Sequence, residues 1–465
     1  MALSKQLSSG ELNRRRARAA HPRKAETHPL TPVGTLAEHG MPAETAYELI
    51  SADLLLDGMA RLNLATFVTT WMPPYAARLM ADTADKNMID KDEYPQTAEL
   101  ESRCVSILAD LWNAPAERSA TGCSTTGSSE AVMLGALALK WRWRERMRAA
   151  GKPADRPNLV IGANVQVCWE KFCRYWDVEA RLVPVEGDTL HLTGERAVAQ
   201  CDENTIGVGV ILGSTFDGSY EPVKEIADAL DDLQARTGLD IPIHVDAASG
   251  GFVAPFLQPE LEWDFRVPRV QSINASGHKY GLVYPGVGWI VWREPAALPR
   301  DLVFDVAYLG GHMPTFALNF SRPGSEVIAQ YFMFTHLGFE GYRAVQQQSS
   351  DVARYLAEQI EKLGPYRLIT RGEQLPVFAF ALAPEVRNYT VYDVSDRLRQ
   401  KGWLVPAYTY PANREDLAVL RIVVRSGMNH DMADRLVADL REDTEFFSSL
   451  DAPLPRPGNS HPFAH

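Results

Sequence analysis

The sequence predicts an α/β fold, a mostly parallel sheet flanked by helices, with an N-terminal segment before it and a smaller C-terminal α+β domain after it. Between about residues 63 and 323, short apolar runs alternate with longer helical patterns, which is typical of βαβ units. The run 205–212 is almost continuously apolar, as in a parallel strand buried on both faces. After about residue 323 a long helical pattern leads into further strands and helices, which indicates the second domain.

The predicted elements of the first domain follow from apolar spacing and from the residues that end helices. A helical pattern over 130–149 stops at Gly151-Lys-Pro153, and another over 222–236 stops at Thr237-Gly238. The remaining predictions are a helix over 165–176 and strands over 158–162, 205–212, 241–245 and 287–292.

The predicted second domain begins with a long helix over 325–363. It continues with strands over 377–382 and 419–425 and with helices over 391–401 and 430–450. The proline-rich end of the chain is expected to be mobile. We therefore divide the chain into an N-terminal arm and helix (1–62), a large domain (63–324), a small C-terminal domain (325–451) and a tail (452–465).

Composition excludes several classes of protein. The formal net charge of −12 argues against a nucleic-acid or membrane-surface role, because both require a basic face. The five cysteines form no CxxC pair and are odd in number, which indicates reduced thiols. The sequence contains neither an apolar run of about 20 residues nor a signal-peptide core, so we expect no membrane span and a cytoplasmic location. No metal site is predicted.

A basic cluster near the start departs from this acidic average. It consists of Arg14, Arg15, Arg16, Arg18, Arg23 and Lys24. The pattern favours a solvated, poorly ordered arm. A nucleic-acid arm, a transit peptide and an arm that docks on a neighbouring subunit remain alternatives.

Lys279 lies in the string Ser276-Gly-His-Lys279, between an apolar strand and a Gly-rich turn. A lysine can form a Schiff base with a carbonyl cofactor if its surroundings partly neutralise the ammonium group. A lysine in a loop is otherwise nearly always a solvated charge, so this interpretation depends on the neighbouring motifs.

Asp246 ends a predicted central strand, in the string His244-Val-Asp-Ala-Ala248. Carboxylates are rarely buried without a partner, and a protonated pyridine nitrogen would be such a partner. Ala248 is small enough to lie beneath a flat cofactor ring. The alternative is an aspartate that caps the next helix.

The string Thr126-Gly-Ser-Ser-Glu130 comes before the long predicted helix. Backbone N–H groups at a helix N-terminus, together with hydroxyl groups and a glycine, can bind a phosphate. Ordinary N-capping explains the same residues.

Together these strings resemble the fold-type-I pyridoxal-phosphate enzymes, and longer motifs resemble the bacterial and plant glutamate decarboxylases. The resemblance extends from about residue 48 to 445. The motifs are His244-Val-Asp-Ala-Ala-Ser-Gly-Gly-Phe252, Ser272-Ile-Asn-Ala-Ser-Gly-His-Lys-Tyr280, Asn63-Leu-Ala-Thr-Phe67, Asp90-Lys-Asp-Glu-Tyr-Pro-Gln96, Ser128-Ser-Glu-Ala131 and Leu139-Lys-Trp-Arg-Trp-Arg144.

The resemblance implies pyridoxal 5'-phosphate as the cofactor. Lys279 would hold it as a Schiff base, and Asp246 would pair with the pyridinium nitrogen. Gln166 would cover the outer face of the ring, Ala248 would lie beneath it, and Thr215 would contact the ring oxygen or the substrate. The phosphate would be bound by Ser128, Ser129, Ser276 and His278, with Phe320 and Ser321 reaching it from a neighbouring subunit.

The implied substrate is L-glutamate, which would lose its α-carboxylate as carbon dioxide and give γ-aminobutyrate. Thr66 and Phe67 would bind the side-chain carboxylate, together with Asn87 and Asp90, partly across a subunit boundary. Arg421 would hold the α-carboxylate region. A carboxylate beside Asp90 favours protonation of one partner, which fits an enzyme that works in acid.

The proton that replaces the carboxylate at Cα would come from Lys279 or from the loop around Tyr308. Other fold-type-I activities are alternatives: an aminotransferase, an aromatic decarboxylase or a cysteine desulfurase. Gln166 and the 63–67 string argue against these. A non-enzymatic scaffold would have no physical need for both Lys279 and Asp246.

A site shared between chains demands at least a dimer, and the bacterial relatives are commonly hexamers built from dimers. The C-terminal segment contains no Trp/Lys-rich amphipathic helix, so we expect no control by calmodulin. In relatives that work in acid, a histidine near the C-terminus enters the active site at neutral pH. His465 would do so here, because an imidazole is uncharged above about pH 6.5. A disordered tail with incidental histidines is the alternative.

Overall fold

The computed structural model describes residues 34, 36–116, 120–306 and 313–450. The basic cluster, Tyr308 and His465 lie outside the described residues. The chain divides into two compact units, Met1–Met59 and Ala60–His465. The described part of the first unit contains helix α1, Ala43–Leu54. Both of the domains that contain a β-sheet lie in the second unit.

A seven-stranded sheet forms the centre of the large domain. Its strands are β1 (Thr121–Thr125), β2 (Asn158–Gly162), β3 (Glu179–Val183), β4 (Thr205–Ile211), β5 (Ile243–Asp246), β6 (Val270–Ala275) and β7 (Gly288–Trp292), in the spatial order β1-β7-β6-β5-β4-β2-β3. β7 runs antiparallel to both neighbours, and the pairings from β6 to β3 are parallel. This confirms the predicted mostly parallel sheet. Every residue of β2, β4 and β5 is buried, because helices cover both faces.

The helices around this sheet are α2 (Pro74–Asp82), α3 (Pro95–Leu111), α4 (Ser128–Ala149), α5 (Cys168–Tyr175), α6 (Gly194–Val198), α7 (Val223–Thr237) and α8 (Ala254–Leu257). α7 ends where the sequence predicts, at Gly238, whose φ of 78° is the left-handed conformation that favours glycine. None of the helices among the described ranges combines the length and apolarity needed to cross a membrane.

Some predicted boundaries were wrong by a few residues, for local reasons. The helix predicted over 165–176 begins only at Cys168, whose N–H donates to the Gln166 side chain at 2.7 Å instead of to a backbone carbonyl. The strand predicted over 241–245 spans Ile243–Asp246, because Pro242 has no N–H to donate to a ladder. The helix predicted over 130–149 begins two residues earlier, at Ser128.

The small domain contains a four-stranded antiparallel sheet, whose strands lie in the spatial order Tyr366–Leu368, Val377–Leu382, Ala418–Val423 and Ala407–Thr409. A two-stranded ladder, β8 (Phe304–Val306) and β9 (Met313–Thr315), comes before it. The elements of the small domain are α9 (Ser325–Glu361), β10 (Tyr366–Leu368), β11 (Val377–Leu382), α10 (Val391–Gln400), β12 (Ala407–Thr409), β13 (Ala418–Val423) and α11 (His430–Ser448). The predicted single helix over 325–363 is interrupted at Gly338, where φ is 56° and ψ is −172°.

A short segment before α2 connects the two domains. Leu64 is buried in the core of the small domain, with Phe378, Trp403 and Leu420. The Leu64 N–H donates to the Leu404 carbonyl at 2.9 Å, and the Leu64 carbonyl accepts from the Val423 N–H at 3.0 Å. A residue from the start of the large domain therefore belongs to the core of the small one.

Leu64→Ala should destabilise the protein, because it leaves a cavity at this junction. A buried Leu→Ala substitution costs ~2–5 kcal/mol of unfolding free energy. Urea denaturation followed by circular dichroism would measure the loss. Leu261→Ala, at a position that is 38% exposed, is the matched control and should change stability little. Equal losses in the two variants would contradict this role of Leu64.

Candidate active site

A cavity of about 320 Å³ opens at the carboxyl ends of the parallel strands, beside the N-terminus of α4. This is the edge of an α/β sheet where ligands usually bind, because loops from several strands converge there. Nine of the residues singled out in the sequence line this cavity: Ser128, Ser129, Gln166, Thr215, Asp246, Ala248, Ser276, His278 and Lys279.

The loop that carries Lys279 follows β6 and is held from two sides. On one side, the Thr69 hydroxyl donates to the Lys279 carbonyl at 2.6 Å, and the Thr69 N–H donates to the His278 carbonyl at 2.7 Å. On the other side, α9 contributes Gln346, which donates to the Tyr280 carbonyl at 2.8 Å, and Tyr342, which donates to the Gly281 carbonyl at 2.9 Å. Lys279 is thus placed by contacts from both domains.

The amine of Lys279 lies 3.4 Å from the Ser249 hydroxyl oxygen and 5.2 Å from the centre of the Phe67 ring. Burial lowers the pKa of Lys279, and the charge of Arg421 adds to this shift, whereas Asp246 and Cys168 oppose it. A lower pKa raises the fraction of neutral amine, the form that attacks a carbonyl group.

Asp246 ends β5 and is only 5% exposed. Its Oδ2 accepts from the indole N–H of Trp169 at 2.9 Å. Its Oδ1 accepts from the Asn274 amide at 2.9 Å and from the Ala248 N–H at 3.1 Å. The hydrogen bond from the Ala248 N–H is the kind of local contact expected of an aspartate that caps the following segment, which was the alternative interpretation of this motif. Asp246 makes this bond together with those from Trp169 and Asn274. Three N–H groups therefore donate to this buried carboxylate.

The N-terminus of α4 forms another wall of the cavity. Ser128 is the first helical residue, and its hydroxyl oxygen accepts from the Ser276 hydroxyl at 2.7 Å. Glu130 accepts from the N–H of Thr126 at 2.8 Å, but the N-cap residue is Gly127, which has no side chain to cap the helix, so ordinary N-capping does not account for this string. A Cβ added to Gly127 would lie 2.9 Å from the His278 ring, so only glycine permits this close wall.

His278 presents a neutral imidazole to the same wall. Burial, together with the charge of Lys279, lowers its pKa to about 4, although a backbone contact at Val287 opposes the shift. Its Nδ1 accepts from the Gly286 N–H at 3.5 Å, which leaves Nε2 as the donor. The wall therefore offers hydroxyl groups, a helix N-terminus and an imidazole N–H, a donor set suited to a phosphate.

Arg421 lies close to the lysine and is 7% exposed. It donates to the carbonyl groups of Thr215 and Ala65, the latter at 2.6 Å. Its guanidinium carbon lies 4.9 Å from the centre of the Phe67 ring and 5.6 Å from that of Tyr408. Phe67 thus contacts both Lys279 and Arg421, while the hydroxyl of the adjacent Thr66 accepts from the Val68 N–H.

Seven of the sequence-predicted residues in the described part of the chain do not line this cavity. Thr66, Phe67 and Arg421 lie beside it, and the other four are Asn87, Asp90, Phe320 and Ser321. The Asn87 amide donates to the Ser321 hydroxyl oxygen at 3.2 Å and accepts from the Arg322 N–H at 3.1 Å. Phe320 is 43% exposed.

Several residues of the site were not predicted from the sequence. Asn164 and Cys168 line the cavity, while Trp169 and Asn274 bind Asp246, and Ser249 contacts Lys279. Asn274 and Ser249 lie inside the quoted motifs, so their place in the chain was a usable signal. Trp169 gave none, because an apolar helix position predicts core packing rather than a hydrogen bond to a carboxylate.

The residues present fit pyridoxal phosphate. A lysine amine, a buried carboxylate and a wall of donors suited to a phosphate surround one cavity, and the small side chain of Ala248 leaves room for a flat ring. Residues 41–383 match the pyridoxal-dependent decarboxylase conserved domain. The chain belongs to this family of pyridoxal-dependent decarboxylases.

Glutamate decarboxylases of bacteria and plants are among the proteins to which this chain is similar. The enzyme of Aliivibrio fischeri is 56% identical over 90% of this chain and 88% of its own, and that of Petunia hybrida is 50% identical over 90% and 84%. The solved glutamate decarboxylase of Lactobacillus brevis is 48% identical, with a TM-score of 0.89 over 92% of this chain and 98% of its own. A sphingosine-1-phosphate lyase of Burkholderia pseudomallei, at 22% identity and a TM-score of 0.75, shares the fold.

His278 should titrate near pH 4 in the cofactor-free protein, well below the ordinary histidine value of about 6.5. Carbon-13 NMR of labelled histidine would measure this, with His278→Gln to assign the signal. Lys279→Met should move the titration upward, because the charge of Lys279 is one cause of the low value. A midpoint near 6.5 in the unsubstituted protein would contradict the buried, neutral imidazole.

Proposed function

We propose that this protein decarboxylates L-glutamate, with pyridoxal phosphate as cofactor, and yields γ-aminobutyrate and carbon dioxide. One observation carries this proposal: Lys279, Asp246 and a wall of donors suited to a phosphate line one cavity. Phe67 lies beside Lys279, and Arg421 lies beside Phe67. The glutamate decarboxylases that match nearly the whole chain support the choice of substrate.

When bound, pyridoxal phosphate supplies a protonated pyridine ring that takes up the electron pair released as the carboxylate leaves. Lys279 would hold the cofactor through its Nζ, and Asp246 would keep the proton on the pyridine nitrogen. Gln166 and Ala248, which line the same cavity, would cover the two faces of the ring, and Thr215 would contact the ring oxygen or the substrate. The phosphate is held by Ser128, Ser129, Ser276 and His278.

Lys279 also moves protons. Because burial lowers its pKa, Lys279 would be a neutral amine once free of the cofactor and would accept a proton from the substrate ammonium group. The resulting Lys279 ammonium is then a donor to Cα after carbon dioxide has left. Tyr308 is the alternative donor in this proposal. Each turnover consumes one proton from solution.

Arg421 orients the substrate by pairing with the α-carboxylate region. Its fixed contacts with the Thr215 and Ala65 carbonyl groups hold the guanidinium in place before substrate enters. Thr66 and Phe67 lie near the end of the site that receives the side-chain carboxylate, where Asn87 and Asp90 join them across a subunit boundary.

The same proposal includes an assembly of at least two subunits. Phe320 and Ser321 of a neighbouring subunit complete the phosphate site, and their exposure in the single chain supports this. The proton consumed in each turnover supports a role in acid response or glutamate metabolism. The proposed cytoplasmic location rests instead on the five cysteines, whose pattern indicates reduced thiols. His465 is proposed to close the site at neutral pH.

The purified protein with pyridoxal phosphate should release one carbon dioxide per glutamate and raise the pH of a weakly buffered solution. Lys279→Ala should abolish the visible absorbance of the bound cofactor and lower turnover by orders of magnitude. Lys171→Ala, at an exposed position of α5, should leave both unchanged. Faster carbon dioxide release from tyrosine or tryptophan than from glutamate would refute the proposed substrate.

Arg421→Gln should weaken glutamate binding about 10- to 100-fold, because a hydrogen bond between charged groups is worth ~1.5–3 kcal/mol. Cofactor affinity should stay within a few-fold of the unsubstituted protein. Steady-state kinetics and a cofactor titration measure the two effects separately. Unchanged glutamate affinity would assign Arg421 a structural role only.

A further inference from the structure

A chain of buried hydrogen bonds lies behind Asp246, on the side away from the proposed cofactor. β5 and β6 are parallel neighbours in which His244 faces Ser272 and Asp246 faces Asn274. Residues two apart in a strand point to the same face, so the four side chains form one polar group inside the sheet. All four are at most 5% exposed.

The hydrogen-bond directions in this group follow from the charge of Asp246. Its Oδ1 only accepts when ionised, so Asn274 must donate to it through Nδ2, at 2.9 Å. The Asn274 Oδ1 then faces His244 Nε2 at 2.7 Å, and that nitrogen must carry the hydrogen. His244 Nδ1 is left to accept from the Ser272 hydroxyl at 2.7 Å.

The His244 ring has little freedom to leave this arrangement. The Trp169 ring packs edge-on against it at 5.5 Å between ring centres, and the same tryptophan donates to Asp246 Oδ2. A Cβ added to Gly135 of α4 would lie 2.4 Å from the His244 ring, so the helix approaches the imidazole as closely as glycine permits. Burial lowers the pKa of His244, as expected for a neutral imidazole.

We propose that His244 and Asn274 are positioning residues, whose directed hydrogen bonds hold Asp246 ionised and aimed at the pyridine nitrogen of the cofactor. This inference rests on the proposed cofactor site but not on the identity of the substrate. Asn274 supplies one of the three N–H groups on the carboxylate, and His244 fixes which way the Asn274 amide faces. Ser272 fixes the tautomer of His244 from the far end.

Asn158 offers a matched control in the same sheet. Like Asn274, it is fully buried, donates through Nδ2 to a carboxylate (Asp202, 2.8 Å) and accepts at Oδ1, here from the Thr205 hydroxyl at 2.7 Å. It begins β2, at the edge of the parallel strands opposite the cavity. Asn→Asp at either position replaces a donor to a carboxylate by a second carboxylate.

Asn274→Asp should bring a proton into the pair with Asp246, because two adjacent carboxylates disfavour double ionisation. The holoenzyme, reconstituted with cofactor labelled with nitrogen-15 in the pyridine ring, should then lose the NMR signal of a protonated ring nitrogen. Its cofactor dissociation constant should rise about 10- to 100-fold. Asn158→Asp should leave both measurements unchanged, whatever it does to thermal stability.

A second pair of variants changes no charge on Asp246 or Asn274 and decides the question if Asn274→Asp fails to fold. His244→Gln keeps an N–H donor for Asn274 Oδ1, whereas His244→Leu, of similar size, removes it. The Gln variant should retain the protonated ring signal and cofactor affinity within a few-fold, and the Leu variant should lose affinity about tenfold or more.

The inference is overturned if Asn274→Asp keeps the protonated signal and normal affinity, if Asn158→Asp reproduces its losses, or if the two His244 variants behave alike. Glutamate turnover of the unsubstituted enzyme is measured in parallel. A protein that binds cofactor with a protonated ring but does not decarboxylate glutamate would refute the proposed function and leave this inference standing.

Discussion

A carboxylate buried between two central strands is costly unless hydrogen-bond donors surround it, and Asp246 imposes this requirement at the end of β5. Its three N–H donors come from three different places: the helix after β2, the neighbouring strand β6 and the backbone of its own turn. The order of strands in the sheet brings these donors together. The position of α5 and the register of β5 against β6 must therefore both supply hydrogen-bond donors to the Asp246 carboxylate.

The position of Lys279 depends on a different constraint, because both domains contact its loop. Thr69 fixes the backbone of this loop from the segment that also inserts Leu64 into the core of the small domain. Gln346 and Tyr342 fix it from the helix that begins the small domain. A movement of one domain against the other would displace Lys279, so the geometry of the site depends on how the two domains pack.

The sequence was most informative where its pattern repeats or its motifs are long. Buried parallel strands appear as continuous apolar runs, and the long motifs contain Lys279, Asp246 and the serines of the phosphate-binding wall. Less predictable were features set by contacts distant in sequence. Nothing local marks Trp169 as a donor to Asp246, and the break at Gly338 is hidden within an otherwise helical pattern. The start of α5 was missed because a side chain, Gln166, replaces a backbone partner there.

The close packing of Gly135 against His244 limits the changes that can raise the thermal stability of this enzyme. Replacing a glycine inside a long helix by alanine is a standard stabilising change, worth ~1 kcal/mol through the backbone entropy of the unfolded chain. At this position the added methyl group would press on the imidazole of His244 at 2.4 Å. Alanine at position 135 would therefore gain helix stability at the expense of the hydrogen bonds that join His244, Asn274 and Asp246, so this glycine is best left unchanged when more heat-stable variants are sought.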